Sequence, residues 1–259
     1  MYSALLVIIY LAFISLGLPD TLLGSAWPQM HIELNASLSS AGIITMIISM
    51  GTVISSLFSD RLNIKLGTGK VTAISVLMTA VALLGFSLSH SFIILCVLAV
   101  PYGLGAGAVD AALNNYVALH YSSKHMSWLH CFWGVGASIG PYIIGTCMAY
   151  GLGWRGGYSV ISVLQFTLTA ALFITLPLWK KVENSENNVI NGNNERTQEE
   201  PQERKAKSLS EVLHIKGVIY ILFAFFCYSA VEQTTTLWCA SYLVLNRSID
   251  SNIAAKFAA

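Results

Sequence analysis

The chain has 259 residues, of which 55% are hydrophobic and only 10% charged, with a net charge of +1 and a mean hydropathy of +0.64. Soluble domains carry about a quarter charged residues, so a soluble globular fold is excluded, and the near-neutral balance gives no sign of nucleic acid as a partner. The five cysteines, at 96, 131, 147, 227 and 239, are scattered through apolar stretches without metal-ligand spacing and read as small core residues.

Crossing a hydrocarbon core of about 30 Å takes roughly 20 apolar helical residues. Seven stretches qualify, at about 3–24, 39–58, 71–89, 92–118, 127–149, 155–178 and 217–244. The first is not read as a cleaved signal peptide, because it lacks a basic start and carries Pro19 and Asp20. Trp27, Trp154 and Trp179 fall at predicted span ends, where indole rings favour the interface. With the N-terminus inside, the cytoplasmic segments hold 11 of the 14 basic residues and the outer ones 3 (Arg155, Arg247 and Lys256). Excess Lys and Arg marks the cytoplasmic side, so the N-terminus is expected there.

The expected organisation is a six-helix bundle over 1–178, a polar cytoplasmic linker over 179–216, and over 217–259 a seventh span that opens a second bundle. The stretch from Trp179 to Lys207 is rich in Asn and mixed charge without an apolar run, which predicts a mobile linker. It is expected to end at a short helix capped by Ser208, with Glu211 completing a capping box. Within the six spans, "GLPDTLL" (17–23) and "GAVDAAL" (107–113) share the pattern G-x-x-D-x-x-L in the first and fourth spans. Three spans per repeat make the copies run in opposite directions, the arrangement of inverted repeats with a midplane binding site.

The acids of these copies, Asp20 and Asp110, lie on stripes of small residues (Gly17, Gly24; Gly103, Gly107) that face other helices rather than lipid. Ionisable groups within spans are rare and mark function by default. An acid withdrawn from water holds its proton more firmly, and a carboxyl group that exchanges its proton near neutral pH is what a proton-coupled carrier requires. Asn114 continues the Asp110 stripe and Asn115 adjoins it. In the fifth span, "WLHCFWGVGASIGPYIIG" sets His130 and Trp133 on one face, a polar group beside a flat ring that suits a sugar. Packing alone would account equally for Trp133. Gly136 and Gly140 form a G-x-x-x-G packing motif. In the seventh span Tyr228, Glu232, Thr235 and Cys239 share a stripe, with Gln233 next to the third acid.

"LPDTLLGSAWPQM", "GAGAVDAALNNY" and "FCYSAVEQTTTLW" resemble the major facilitator superfamily and, within it, the fucose permease-like sugar:proton symporters. The resemblance covers essentially the whole chain. It implies proton coupling and sugar binding at Asp20 and Asp110, with Asn114 facing a central cavity. It also implies an all-α polytopic membrane protein in the plasma or inner membrane, taking up a sugar or similar small polar solute. No cofactor is implied; the coupling ion is H+, with Na+ the other candidate.

Three departures stand against the family pattern. The loop after the second span reads "SDRLNIKLGTGK", with the glycine displaced to Gly67. The arginine common in fourth spans of antiporters is Ala99. The family has twelve spans in two bundles, so the chain is expected to be partial and to need the C-terminal bundle or another chain for activity. "GASIGPYIIG" (136–145) partly matches an antiporter motif, which keeps a drug or metabolite:proton exporter as the alternative, beside a non-transporting remnant. An enzyme is not expected: there is no H-E-x-x-H run, no credible serine–histidine set and no phosphate loop. A retinal protein would need a lysine in its last span, and 217–244 contain none.

Overall fold

The computed structural model describes residues 2–194, 211 and 213–259, with side chains described from 5 to 179 and again at 211 and 213–259. Every described element is helical: α1 (Tyr2–Asp20), α2 (Leu22–Glu33), α3 (Ser40–Leu66), α4 (Thr68–Leu88), α5 (Phe92–His120), α6 (Ser123–Ala149), α7 (Gly153–Asn194), α8 (Val218–Arg247) and α9 (Ser251–Phe257). Helices α1 and α2 are one span interrupted at Thr21, and with it 7 helices among the described residues are long and apolar enough to cross a membrane. With no water in hydrocarbon to satisfy backbone groups, helices that bond internally are the form such sequences take. Large apolar side chains such as Met46, Leu57, Ile93 and Ile174 stand exposed on the outside, as lipid contact requires. The chain is an all-α polytopic membrane protein.

The packing is two-fold. The first span packs on the fifth (α1 on α6), the fourth on the second (α5 on α3), and the third on the sixth (α4 on α7). Exchanging spans one with four, two with five and three with six maps each of these pairs onto another or onto itself. The sequence copies sit at equivalent points of that pattern, at a constant offset of 90 (17 to 107, 20 to 110, 23 to 113). A Cβ on Gly17 would overlap the Trp133 carbonyl oxygen of α6, and one on Gly107 the Thr52 carbonyl oxygen of α3. Likewise Gly136 lies against the backbone of Ile14, and Gly51 against that of Leu104, residues 14 and 104 again being 90 apart. Matched glycines let matched helix pairs touch backbone to backbone.

Two large apolar clusters fill the bundle, one around Trp27, Phe86, Trp154 and Tyr158, the other around Leu5, Phe13, Leu129 and Trp179, with a small third of Val71, Ala108 and Ala112. The predicted interfacial role of the tryptophans is therefore corrected. Trp27 and Trp154 are fully buried, and their indole N–H groups donate to Leu38 O at 2.7 Å and to a Glu33 carboxylate oxygen at 3.0 Å. Trp179 is 6% exposed and packs against Gly69 and Tyr116. Arg155 also bonds Glu33 and reaches the Ser89 carbonyl at 3.0 Å, tying together the ends of α2, α4 and α7. The reading of all five cysteines as core holds for Cys147 and fails for Cys131 and Cys227, which are exposed.

Helix α7 runs on to Asn194, well past the expected span end at 178, so the first part of the expected linker is helical backbone. The predicted cap at Ser208 lies outside the described residues. The first span also reaches further than expected, to Glu33. Helix α8 crosses against α2, where Gly24 abuts the Thr236 backbone, and α9 folds back on α6 near Gly145. Most of α8 is exposed, with Tyr220, Phe223 and Phe226 outward.

Candidate functional site

Between α8 and the bundle lies a cavity of about 880 Å³. It is lined by Asp20, Asp110, Glu232, His130, Trp133 and Gln233, together with Phe13, Thr45, Ser49, Thr52, Tyr102, Tyr158 and Tyr228. Six of the eight candidate residues from the sequence thus meet in one space. Among the lining residues there is no Lys or Arg, so the three carboxyl groups and one imidazole set its charge.

Asp20 reaches this position because α1 ends at it and Gly17, one turn earlier, brings α6 into backbone contact. Its side chain is exposed to the cavity and accepts two hydrogen bonds: Trp133 Nε1–H to Oδ2 at 2.9 Å and Tyr102 O–H to Oδ1 at 3.3 Å. The carboxyl group of the first span is therefore held by the fifth and the fourth, across the repeat boundary. Asp110 occupies the equivalent place on α5, with Asn114 Nδ2 donating to its Oδ1 at 2.9 Å from one turn further on. His130 stands exposed in the same cavity, its ring edge-on to Phe13 at 6.2 Å between centroids. On α8, Tyr228 O–H donates to Glu232 Oε1 at 3.2 Å. The acids thus have neutral hydrogen-bond donors as neighbours rather than fixed cations.

Two candidates stand elsewhere. Asn114 does not line the cavity; it backs Asp110, and its own Oδ1 is buried without a hydrogen-bond partner. Asn115 is exposed and outside the lining, because one further residue turns the side chain about 100° around the helix. The sequence reading missed Tyr102 and Tyr158. A phenol within "VPYGLG" was the available signal for Tyr102, whereas Tyr158 reaches the cavity only through the packing of α7 behind α4.

A cavity lined by three acids, an imidazole and aromatic faces can take up and release protons and can hold a small polar solute by hydrogen bonds and ring stacking. The comparisons with known proteins agree with this architecture. The family model of the Major Facilitator Superfamily matches residues 9–257. The chain is 25% identical over 116 residues to an uncharacterized transporter, y4wD, of Sinorhizobium fredii, a match covering 44% of this chain and 31% of that one. It is 24% identical over 178 residues to synaptic vesicle glycoprotein 2B of Rattus norvegicus, covering 66% of this chain and 26% of the other. The chain thus spans a third or less of the curated relatives it matches. Paired inverted repeats, a central acidic cavity and a match along nearly the whole sequence lead to one conclusion: the chain belongs to the major facilitator superfamily.

Proposed function

We propose that the chain acts in a secondary active transporter that couples proton entry to the uptake of a sugar or similar small polar solute. The observation that carries this reading is the meeting of Asp20, Asp110, Glu232 and His130 in one cavity between the bundle and α8. In the cycle, Asp110 takes a proton from the outer side, and solute binds against Trp133 and the polar groups of Asp20, Gln233 and Glu232. Rocking of the bundles then turns the cavity inward, and loss of the proton releases the solute. A charged acid in a closed cavity is costly, so loading the proton is what permits closure. The protein is a carrier rather than an enzyme and needs no cofactor. It sits in the cell membrane with its N-terminus and the polar segment after α7 on the cytoplasmic side, following the 11 to 3 division of basic residues. The described residues supply one bundle and one helix of the facing wall, and a second bundle from further chain or a second copy supplies the rest.

The test is reconstitution into liposomes with a pH-sensitive dye inside. Addition of a transported sugar under an inward proton gradient acidifies the lumen, saturably, and a protonophore abolishes accumulation. Accumulation that persists with the protonophore and requires Na+ would replace the coupling ion. Export of an amphipathic solute in exchange for protons is the second reading. It draws on the "GASIGPYIIG" run, whose Gly136 and Gly140 lie against the α1 backbone at Ile14 and Leu18. Solute loss rather than gain under the same gradient would favour it.

A further inference from the structure

Pro19 adjoins Asp20 on the first span and Pro141 lies on α6, the helix packed against it, and each takes a donor away from its helix. In an α-helix the N–H of residue i bonds the carbonyl of residue i−4. Pro19 has no N–H, so the Ser15 carbonyl on α1 is freed; Pro141 frees the Ala137 carbonyl on α6 in the same way. Neither is left alone. Gln165 of α7 donates from Nε2 to Ser15 O, while Ser15 Oγ donates back to Gln165 Oε1. Gln165 is 1% exposed, so this amide is committed to α1. Thr21, the residue at which the first span is interrupted, donates from Oγ1 to Ala137 O at 2.8 Å. Within hydrocarbon no water can serve instead, so side-chain donors make these breaks tolerable.

The second repeat shows what the repair is for. At the offset of 90, Pro19 corresponds to Val109, which keeps its N–H, and Ser15 corresponds to Gly105. Gly105 lies against Ser75 and Thr79 of α4, and among the described residues no side-chain amide bonds its carbonyl. The amide bridge accompanies the proline.

We propose that Gln165 and Thr21 are positioning residues for Asp20. By replacing the two lost backbone donors they hold the junction of α1 and α2 and the adjoining turn of α6 in register, so that the Asp20 carboxyl meets Trp133 and Tyr102. They touch neither proton nor solute; they act through Asp20. The idea goes beyond the transport reading and does not depend on it.

The test needs no substrate. The whole chain, in membranes, is treated with dicyclohexylcarbodiimide, which adds to carboxyl groups in apolar surroundings, and labelling of Asp20 is read by peptide mass. Trp133→Phe, which removes one of the two bonds to Asp20, calibrates the signal. Gln165→Leu is expected to raise Asp20 labelling by about threefold or more and to lower the apparent Tm by roughly 5 °C. Adding Pro19→Ala restores the missing backbone N–H, and the double variant returns to the original labelling and Tm. Thr21→Val behaves likewise and is rescued by Pro141→Ala. Unchanged labelling in Gln165→Leu, or a defect that Pro19→Ala does not reverse, overturns the proposal, because a packing role would not be rescued by a backbone donor. If Gln165→Leu fails to accumulate, recovery of the folded protein in the double variant supports the proposal, and failure of the double overturns it.

Discussion

At the scale of single residues, the two repeat acids have different surroundings, and their substitutions should differ accordingly. Among the described residues Asp110 bonds only to an amide on its own helix, whereas Asp20 is held by two donors from other spans. Asp110→Asn keeps the shape and most of the hydrogen bonding but cannot cycle a proton. In reconstituted transporter it should abolish uphill accumulation while leaving exchange down a gradient within about fivefold, since chemistry rather than geometry is removed. Unimpaired uphill uptake would remove Asp110 from the mechanism. Trp133→Phe keeps a flat ring and loses the bond to Asp20, worth about 1 kcal/mol or more. It should lower the proton-to-solute ratio and leave half-saturation nearly unchanged, because the ring face that meets the solute is kept; a tenfold rise in half-saturation instead would mean that the indole N–H bonds the solute rather than Asp20. Helical periodicity makes Asp20, Asp110 and their stripes legible in the sequence. It cannot separate Asn114, which backs an acid, from a lining residue, because both lie on the same stripe. Asn115 is drawn in by adjacency alone, and adjacency on a helix is a turn of about 100°.

At the scale of elements, the helix pairs are set by glycines, and the expected cost of replacing them can be ranked. A side chain at Gly17 or Gly107 meets a backbone carbonyl, which cannot swing aside. Gly17→Leu and Gly107→Leu should each cost more than about 2 kcal/mol through overpacking and largely abolish folded protein on a size-exclusion trace. Gly134→Ala has nothing within 4 Å of the new Cβ and should be tolerated. Equal behaviour of the three would mean that the close approaches are not what holds the spans together. The spans themselves are legible as long apolar runs, because length and composition decide which segments can cross a bilayer. Their ends are not. Trp27 and Trp154 look like interfacial anchors, yet both sit inside the bundle with carbonyl and carboxylate partners, and only neighbours distant in sequence could reveal that. The overrun of α7 to Asn194 escapes because polar composition removes apolar burial, which is a tertiary matter, without forbidding a helix.

At the scale of the whole molecule, the prediction concerns sidedness. Arg196, Arg204, Lys205 and Lys207 offer trypsin sites in the polar segment, while Lys180 and Lys181 lie on the helical backbone of α7. Limited trypsin on inside-out vesicles should cut between Lys180 and Lys207, where the basic residues cluster in a polar, charge-rich stretch of sequence. Right-side-out vesicles should stay intact. The reverse pattern would invert the orientation argued from the basic residues. The internal two-fold is legible in three matched letters, G-x-x-D-x-x-L, but only the packing of α1 on α6 and α5 on α3 gives those letters equal structural work.

Beside the acids that two-fold is broken, where proline stands at 19 in one copy and valine at 109 in the other. The consequence is a local difference in stiffness next to the two acids, the fourth span's own proline, Pro101, lying further from its acid, where the first span has Leu11. The fourth span passes Asp110 with its backbone ladder unbroken at Val109, so bending there must stretch bonds along the rod. The first span passes Asp20 across a joint whose bonds run sideways to neighbouring helices. When the bundle rocks, strain should therefore collect at the first span's joint, and amide hydrogen exchange should be faster around residues 20–23 than around residues 110–113. The two acids, alike in sequence, would ride on a hinge and on a strut.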